Sequence, residues 1–204
     1  ARIEPGVTPK QLDAWAEEII RAEGGIPNFL NYRGYPAATC ISVNDTVVHG
    51  IPDDIPLKEG DIVSLDFGVV KDGWHADGAW TYPVGAISKE AQRLLNVTKE
   101  SLFQGISKAK AGNTIGDIGH AVQKYVEGNG YSVVRDLVGH GIGELLHDEP
   151  HNIPMYGTAG KGLKLREGMT MCIEPMVNMG TYKVITLDDE WTVKSADGSL
   201  AAHF

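Results

Sequence analysis

Cysteine is nearly absent: Cys40 and Cys172 are the only two in 204 residues. That is too few for a disulfide framework, and it makes a reducing cytoplasm the expected compartment. Basic side chains are in the minority, 18 against 27 acidic ones, for a net charge of −9. Such a surface argues against a nucleic-acid or anionic-membrane partner, and no local basic patch breaks the pattern. No apolar run is long enough to span a bilayer. The opening residues ARIEPGVTPK lack the architecture of a signal peptide. There is no short tandem repeat and no low-complexity tract. What is left has 42% hydrophobic and 22% charged residues, ordinary for a globular protein. It is long enough to bury a core as one domain or two fused halves. Glycine is plentiful at 25, which implies tight turns and close backbone approaches.

The periodicity predicts a helix, strands, two helices and further strands, an α+β layout rather than alternating βαβ. Thr8 caps a first helix with Pro9 at its first position, and Leu12, Trp15, Ala16, Ile19 and Ile20 share one face. Gly24-Gly25 ends it. Residues 26–37 read as a loop. Strands are expected over Thr39–Val43 and Thr46–Gly50, with a loop from Ile51 to Gly60. Ile62–Phe67 and Trp74–Asp77 read as the arms of a hairpin that turns at Lys71-Asp72-Gly73, where Asp-Gly supplies positive φ. Ser88 caps a helix reaching about Ala111, with Ala91, Leu94, Leu95, Val97, Thr98, Leu102, Ile106 and Ala109 as its buried stripe. Thr114, with Asp117 three residues on, caps a second helix to about Glu127. Val133–Val138 reads as a strand, 144–168 as a long loop, and Met169–Pro175 as a strand. Lys183–Leu187 and Trp191–Lys194 form a last hairpin, and Phe204 lies on the approach to another strand.

Asp66 and Asp77 sit on the two arms of the first hairpin, which folds them side by side. Paired carboxylates repel unless a cation or a shared proton lies between them. His140 stands between glycines in Gly139-His140-Gly141-Ile142-Gly143, offering a metal nitrogen or a proton donor. Glu174 falls in the apolar run Met171-Cys172-Ile173-Glu174-Pro175-Met176, where an unpartnered carboxylate is costly. His49 ends an apolar strand, and His147 follows Leu145-Leu146. Taken singly, each has an ordinary explanation: exposed strand-end carboxylates, a hydrogen-bonded structural histidine, a turn, a Lys or Arg partner. Taken together, three carboxylates and one imidazole suit Mn, Fe, Co or Zn in an open catalytic site rather than a closed structural zinc.

The order Asp66, Asp77, His140, Glu174 resembles the metal-ligand series of the type I methionine aminopeptidases. So do His49-Gly50-Ile51-Pro52-Asp53-Asp54, Asp72-Gly73-Trp74-His75-Ala76-Asp77, Gly139-His140-Gly141-Ile142-Gly143, Gly168-Met169-Thr170 and Ile173-Glu174-Pro175-Met176-Val177. The resemblance implies the pita-bread fold, an antiparallel sheet covered by helices in two pseudo-symmetric halves. It implies hydrolytic removal of the initiator methionine from nascent polypeptides with a small second residue, by a single domain acting as a monomer with transient ribosome association. It implies two divalent metal ions, Asp66 and Asp77 clasping one and Asp77, His140 and Glu174 the other. His147 would then stabilise the tetrahedral intermediate, His49 would orient the scissile amide, and Glu174 would take a proton from water. Tyr32, Tyr35, Cys40 and Trp191 match the methionine pocket, where sulfur–aromatic contacts suit a thioether.

There are departures. Leu146 stands where a Phe often lines the pocket, and Gly78 where a Thr usually follows the second Asp. The family's fifth ligand, a Glu, is expected in a strand after Phe204, and roughly thirty further residues, mostly helix, before the PGVT segment. The expectation is one catalytic domain, 1–204, lacking the family's N-terminal helix and C-terminal strands. Two alternatives stay open: an inactive or weakly metal-binding pita-bread fragment, and a proline-specific peptidase of the same fold.

Overall fold

The computed structural model describes residues 3–204. Helix α1 spans Pro9–Ala22, and Thr8 opens it as expected: its hydroxyl accepts from the Gln11 N–H, and the Gln11 side chain accepts from the Thr8 N–H. Strands β1 (Ile26–Pro27), β2 (Thr39–Val43), β3 (Thr46–Val48), β4 (Ile62–Lys71) and β5 (Trp74–Pro83) follow. Next come α2 (Lys89–Ile106) and α3 (Ile115–Gly128), then β6 (Ser132–Val133), β7 (Gly139–Gly141) and β8 (Asp148–Ile153). The described chain closes with β9 (Met176–Asn178), β10 (Val184–Thr186), β11 (Val193–Ser195) and β12 (Ala201–His203). Every strand ladder is antiparallel, so the α+β expectation holds. Among the described residues no helix is long and apolar enough to cross a membrane.

The β4–β5 hairpin is the longest element pair. It turns at Asp72-Gly73, both with positive φ (53° and 84°), the signature of a type I′ turn. Each arm runs ten residues, well past the stretch read from sequence. β1 and β2 share the other edge of β4. Helix α1 is tied to that sheet by Asp13, whose carboxylate accepts from the Thr39 N–H (2.8 Å) and hydroxyl (2.7 Å). The second half is β6, β9 and β12 with α2 and α3 upon them. Leu94, Ile118, Val122, Val126, Val133, Ile153 and Val177 are the buried centre of that half. Burying one such side chain contributes about 1.5–3 kcal/mol.

Several expectations are corrected. The 26–37 segment is not all loop: Ile26–Pro27 pairs with Val69–Val70, and Tyr32–Gly34 forms a 3₁₀ turn. Helix α2 stops at Ile106, because Ser107 turns its hydroxyl onto the Gln104 carbonyl and Asn113 caps Lys108. Ile106 and Ala109 therefore leave the buried stripe, and on α1 Ile19 faces solvent. Of the strand expected over 133–138 only Val133 is in one, at the end of β6; β7 begins after that range, and the 144–168 loop contains β8, the partner of β7. No strand covers 169–175. Met171 makes one bridge to Gly141, and the ladder resumes at Met176 after Pro175, which lacks an N–H to donate.

Candidate active site

The β4–β5 hairpin is the floor of the site. Asp66 pairs with Ala79 on one side and Cys40 on the other, and Asp77 pairs with Gly68. The carboxylates share a face on a diagonal rather than a rung and interact directly, so the side-by-side expectation holds. Lys71 faces Trp74 across the turn, and Asp66 and Asp77 lie unequal distances from that pair. They are diagonal neighbours, still within reach of one another. Their cross-strand partners, Cys40, Ala79 and Gly68, are small, which leaves space above the sheet. Gly68 is required: a Cβ there would lie 1.9 Å from Asn28 Oδ1.

His140 reaches the floor from β7. Its two glycine neighbours have a structural role, for a Cβ at Gly139 would lie 2.3 Å from the Cys172 carbonyl, and one at Gly141 2.3 Å from the Glu149 carbonyl. The His140 carbonyl accepts from the Cys172 N–H at 2.7 Å, which aligns the Cys172–Glu174 segment beside it. His140 Nδ1 lies 2.8 Å from the Gly141 carbonyl. Donation there leaves Nε2 as the ring nitrogen that faces the carboxylates. Nε2 stands 3.6 Å from Asp77 Oδ2 and 3.6 Å from Glu174 Oε1. The other Glu174 oxygen, Oε2, is 3.5 Å from His203 Nε2 on β12.

The walls are aromatic and histidine-rich. His49 follows β3 with φ 56°, a left-handed conformation in which histidine is over-represented. Gly50 behind it abuts the Ile41 carbonyl, where a Cβ would come to 2.3 Å. The Tyr35 hydroxyl lies within hydrogen-bond reach of the Gly50 (2.9 Å) and Thr39 (3.1 Å) carbonyls, so Tyr35 offers the pocket its ring rather than its oxygen. Trp191 packs edge-on to Tyr35, with ring centres 5.1 Å apart. Tyr32 Oη is 2.8 Å from His147 Nδ1, and the His147 and His140 rings are 4.2 Å apart. One cavity of about 350 Å³ is lined by Tyr32, Tyr35, Cys40, His49, Asp66, Asp77, His140, His147, Glu174 and Trp191. Every residue singled out from sequence is in that lining. Phe29 and Leu146 extend its apolar end.

The sequence pattern of metallopeptidase family M24 matches residues 1–197. The chain belongs to metallopeptidase family M24. Within it, the chain is 53% identical over 203 residues to a methionine aminopeptidase of Clostridium perfringens, covering all of this chain and 81% of that protein. It is 50% identical to methionine aminopeptidase 1 of Bacillus subtilis, covering 99% and 81%. The crystal structure of the methionine aminopeptidase from Rickettsia prowazekii superposes with a TM-score of 0.97 at 45% identity, covering 99% of this chain and 82% of that one. The prolidase of Pyrococcus horikoshii shares the fold, with a TM-score of 0.72 at 22% identity over 86% of this chain and 48% of that one. The pita-bread expectation therefore holds.

An M24 metallopeptidase uses divalent metal, and the donor chemistry here fits one. Ligand atoms about 2.1 Å from a tetrahedral ion lie roughly 3.4 Å apart, close to the spacings around His140 Nε2. Asp77, His140 and Cys172 bring donor atoms within 4.8 Å of one another. The charge balance points the same way. Burial, then Asp77 and Glu174, pushes the Asp66 carboxyl well above the ordinary range. Burial acts to lower the His140 pKa, but Asp77, Cys172 and the Gly141 carbonyl outweigh it and carry it up to about 11. Burial, with His203 and His147 near, takes His49 down to about 4. Sequence reasoning misses Cys172 and His203 as members of this M24 site. Cys172 looked like part of an apolar strand. His203 arrives by the pairing of β12 with β9, for which nothing near it in sequence is a signal.

Proposed function

We propose that the chain removes N-terminal methionine from polypeptides, favouring a small second residue, by metal-dependent hydrolysis. The observation that carries it is the cavity itself: a carboxylate–imidazole cluster beside an apolar, sulfur- and ring-lined end, in a chain half identical to methionine aminopeptidases. Asp66, Asp77, His140 and Glu174 are the residues that would hold two ions, of Co, Mn, Fe or Zn. When bound, divalent metal supplies Lewis acidity that polarises the carbonyl and acidifies water.

The methionine side chain lies against Tyr32, Tyr35, Cys40, Leu146 and Trp191, where thioether and rings attract. With the Tyr32 hydroxyl donating to His147 Nδ1, the imidazole N–H is on Nε2 and donates a hydrogen bond to the scissile oxygen as it gains charge. His49, neutral at physiological pH, orients the amide nitrogen. Glu174 accepts a proton from the attacking water and returns it to the leaving amine as the C–N bond breaks. The products are free methionine and a peptide with a new N-terminus.

The working place is the cytoplasm, on nascent chains at the ribosome, as a monomeric single domain. Both cysteines are free thiols, which agrees with a reducing compartment. The proline-specific reading is not favoured, since those neighbours share the fold at 22% identity against 53% for a methionine aminopeptidase. The test is release of free methionine from Met-Ala-Ser after stripping metal and restoring Mn or Co. Metal-dependent release is expected. No release with metal restored, or preferential cleavage of Xaa-Pro peptides, would overturn the reading.

A further inference from the structure

His203 is a buried polar group of the cavity that the roles above leave unused. Only 2% of its surface is exposed, it lines the cavity, and its Nε2 has no hydrogen-bond partner among the described residues. A buried ring nitrogen without a partner is costly, so the position needs a reason. The nearest acceptor is Glu174 Oε2 at 3.5 Å, just outside the 2.7–3.2 Å of a good N–H···O bond. Glu174 thus stands between two imidazoles, His140 at Oε1 and His203 at Oε2.

The backbone of His203 is held so that the ring keeps this place. The Thr81 hydroxyl donates to the His203 carbonyl at 2.8 Å and accepts from the His203 N–H at 2.9 Å. Ser64 Oγ lies 2.8 Å from the same Thr81 oxygen. Thr81 and Ser64 are paired on the hairpin that carries Asp66 and Asp77. The imidazole is therefore referenced to the floor of the site rather than to a mobile loop.

We propose that His203 is a positioning residue for the metal centre: its Nε2–H donates to Glu174 Oε2 and leaves Oε1 as the oxygen presented to the ion beside His140. This rests on the reading of Glu174 as a ligand. Partners of metal-ligating carboxylates commonly change affinity 10–100-fold when removed.

The experiment compares His203→Leu, which fills the volume without a donor, with His203→Gln, which keeps an N–H donor. Mn and Co affinities are measured by calorimetry on the metal-stripped full chain, with thermal melts of the stripped proteins and the visible spectrum of the Co-loaded ones. The leucine variant is expected to bind metal about 10–100-fold more weakly and to alter the Co spectrum. The glutamine variant is expected to recover most of the loss. Equal affinity in the leucine variant and the parent, or a glutamine variant as weak as leucine, overturns the proposal. If the leucine variant does not fold, His203→Asn takes its place against glutamine, its shorter amide falling short of Oε2. Glu174→Gln is run in parallel. If it leaves affinity unchanged, the ligand reading fails, and the His203 proposal with it. If it weakens binding while the leucine variant does not, only the His203 proposal fails.

Discussion

Burial holds the His49 imidazole neutral, and His203 and His147 add to the effect, so its pKa falls from the ordinary 6.5 to about 4. Between those values the unfolded chain binds the proton that the folded one refuses, so stability rises with pH there. The contribution is present above about pH 6.5, is lost as pH falls toward 4, and is on the order of 3 kcal/mol. Urea titrations of the stripped protein across that window should show the loss, and His49→Asn should flatten it; a parallel slope in the variant would refute the assignment. His147→Ala is expected to lower kcat on Met-Ala-Ser by about a hundredfold or more with little change in KM, measured by steady-state kinetics. At this scale the sequence is readable where a residue type is out of keeping with its surroundings. Glu174 in an apolar run and Asp66 in a strand draw notice because isolated charge is expensive there. Cys172 and His203 do not, since a thiol and a histidine beside apolar neighbours are ordinary, and only packing brings them to His140 and Glu174.

Elements were readable where the code is local. The Thr8, Ser88 and Thr114 helix starts and the Asp72-Gly73 turn all appear where the residues call for them. The short strands were not, because β7, β8 and β12 are strands only through their partners. The glycines around His140 show the difference. From sequence they allow a close backbone approach but not its partner, which the structure shows to be two carbonyls pressed against β7. Gly141→Ala should therefore lower stability by roughly 1–3 kcal/mol and weaken metal binding, because the Glu149 carbonyl must move. Gly78→Ala, whose Cβ meets nothing within 4 Å, should leave the melting temperature almost unchanged. Similar melts for the two variants would contradict this account.

For the molecule as a whole, metal uptake and protonation are one equilibrium. His140 favours its protonated form around neutrality, and burial beside Asp77 and Glu174 makes the Asp66 carboxyl hold its proton to higher pH than an ordinary carboxyl does; a ligand must shed its proton. Calorimetry in buffers of different ionisation heat should report proton release on binding, with affinity climbing as pH rises; no buffer dependence would refute it. Saturating metal should raise the melting temperature, by about 2.7 kcal/mol of stability at a hundredfold excess over Kd. The α+β class was legible because it depends on order along the chain, and ten of the cavity residues were legible through the motifs that carry the family resemblance. How the halves meet was not, since that rests on contacts such as Thr81 with His203, 122 residues apart. That contact has a kinetic meaning. β12 is joined to the floor through one hydroxyl that both gives and receives, so the halves cannot part without breaking it. The His203 amide should then exchange with deuterium only on the occasions when the two halves separate. Glu174 leads into β9, the partner of β12, so the same separation would draw it from Asp77. Escape of the ion and exchange of one peptide hydrogen would keep the same clock, and Thr81→Val would speed both.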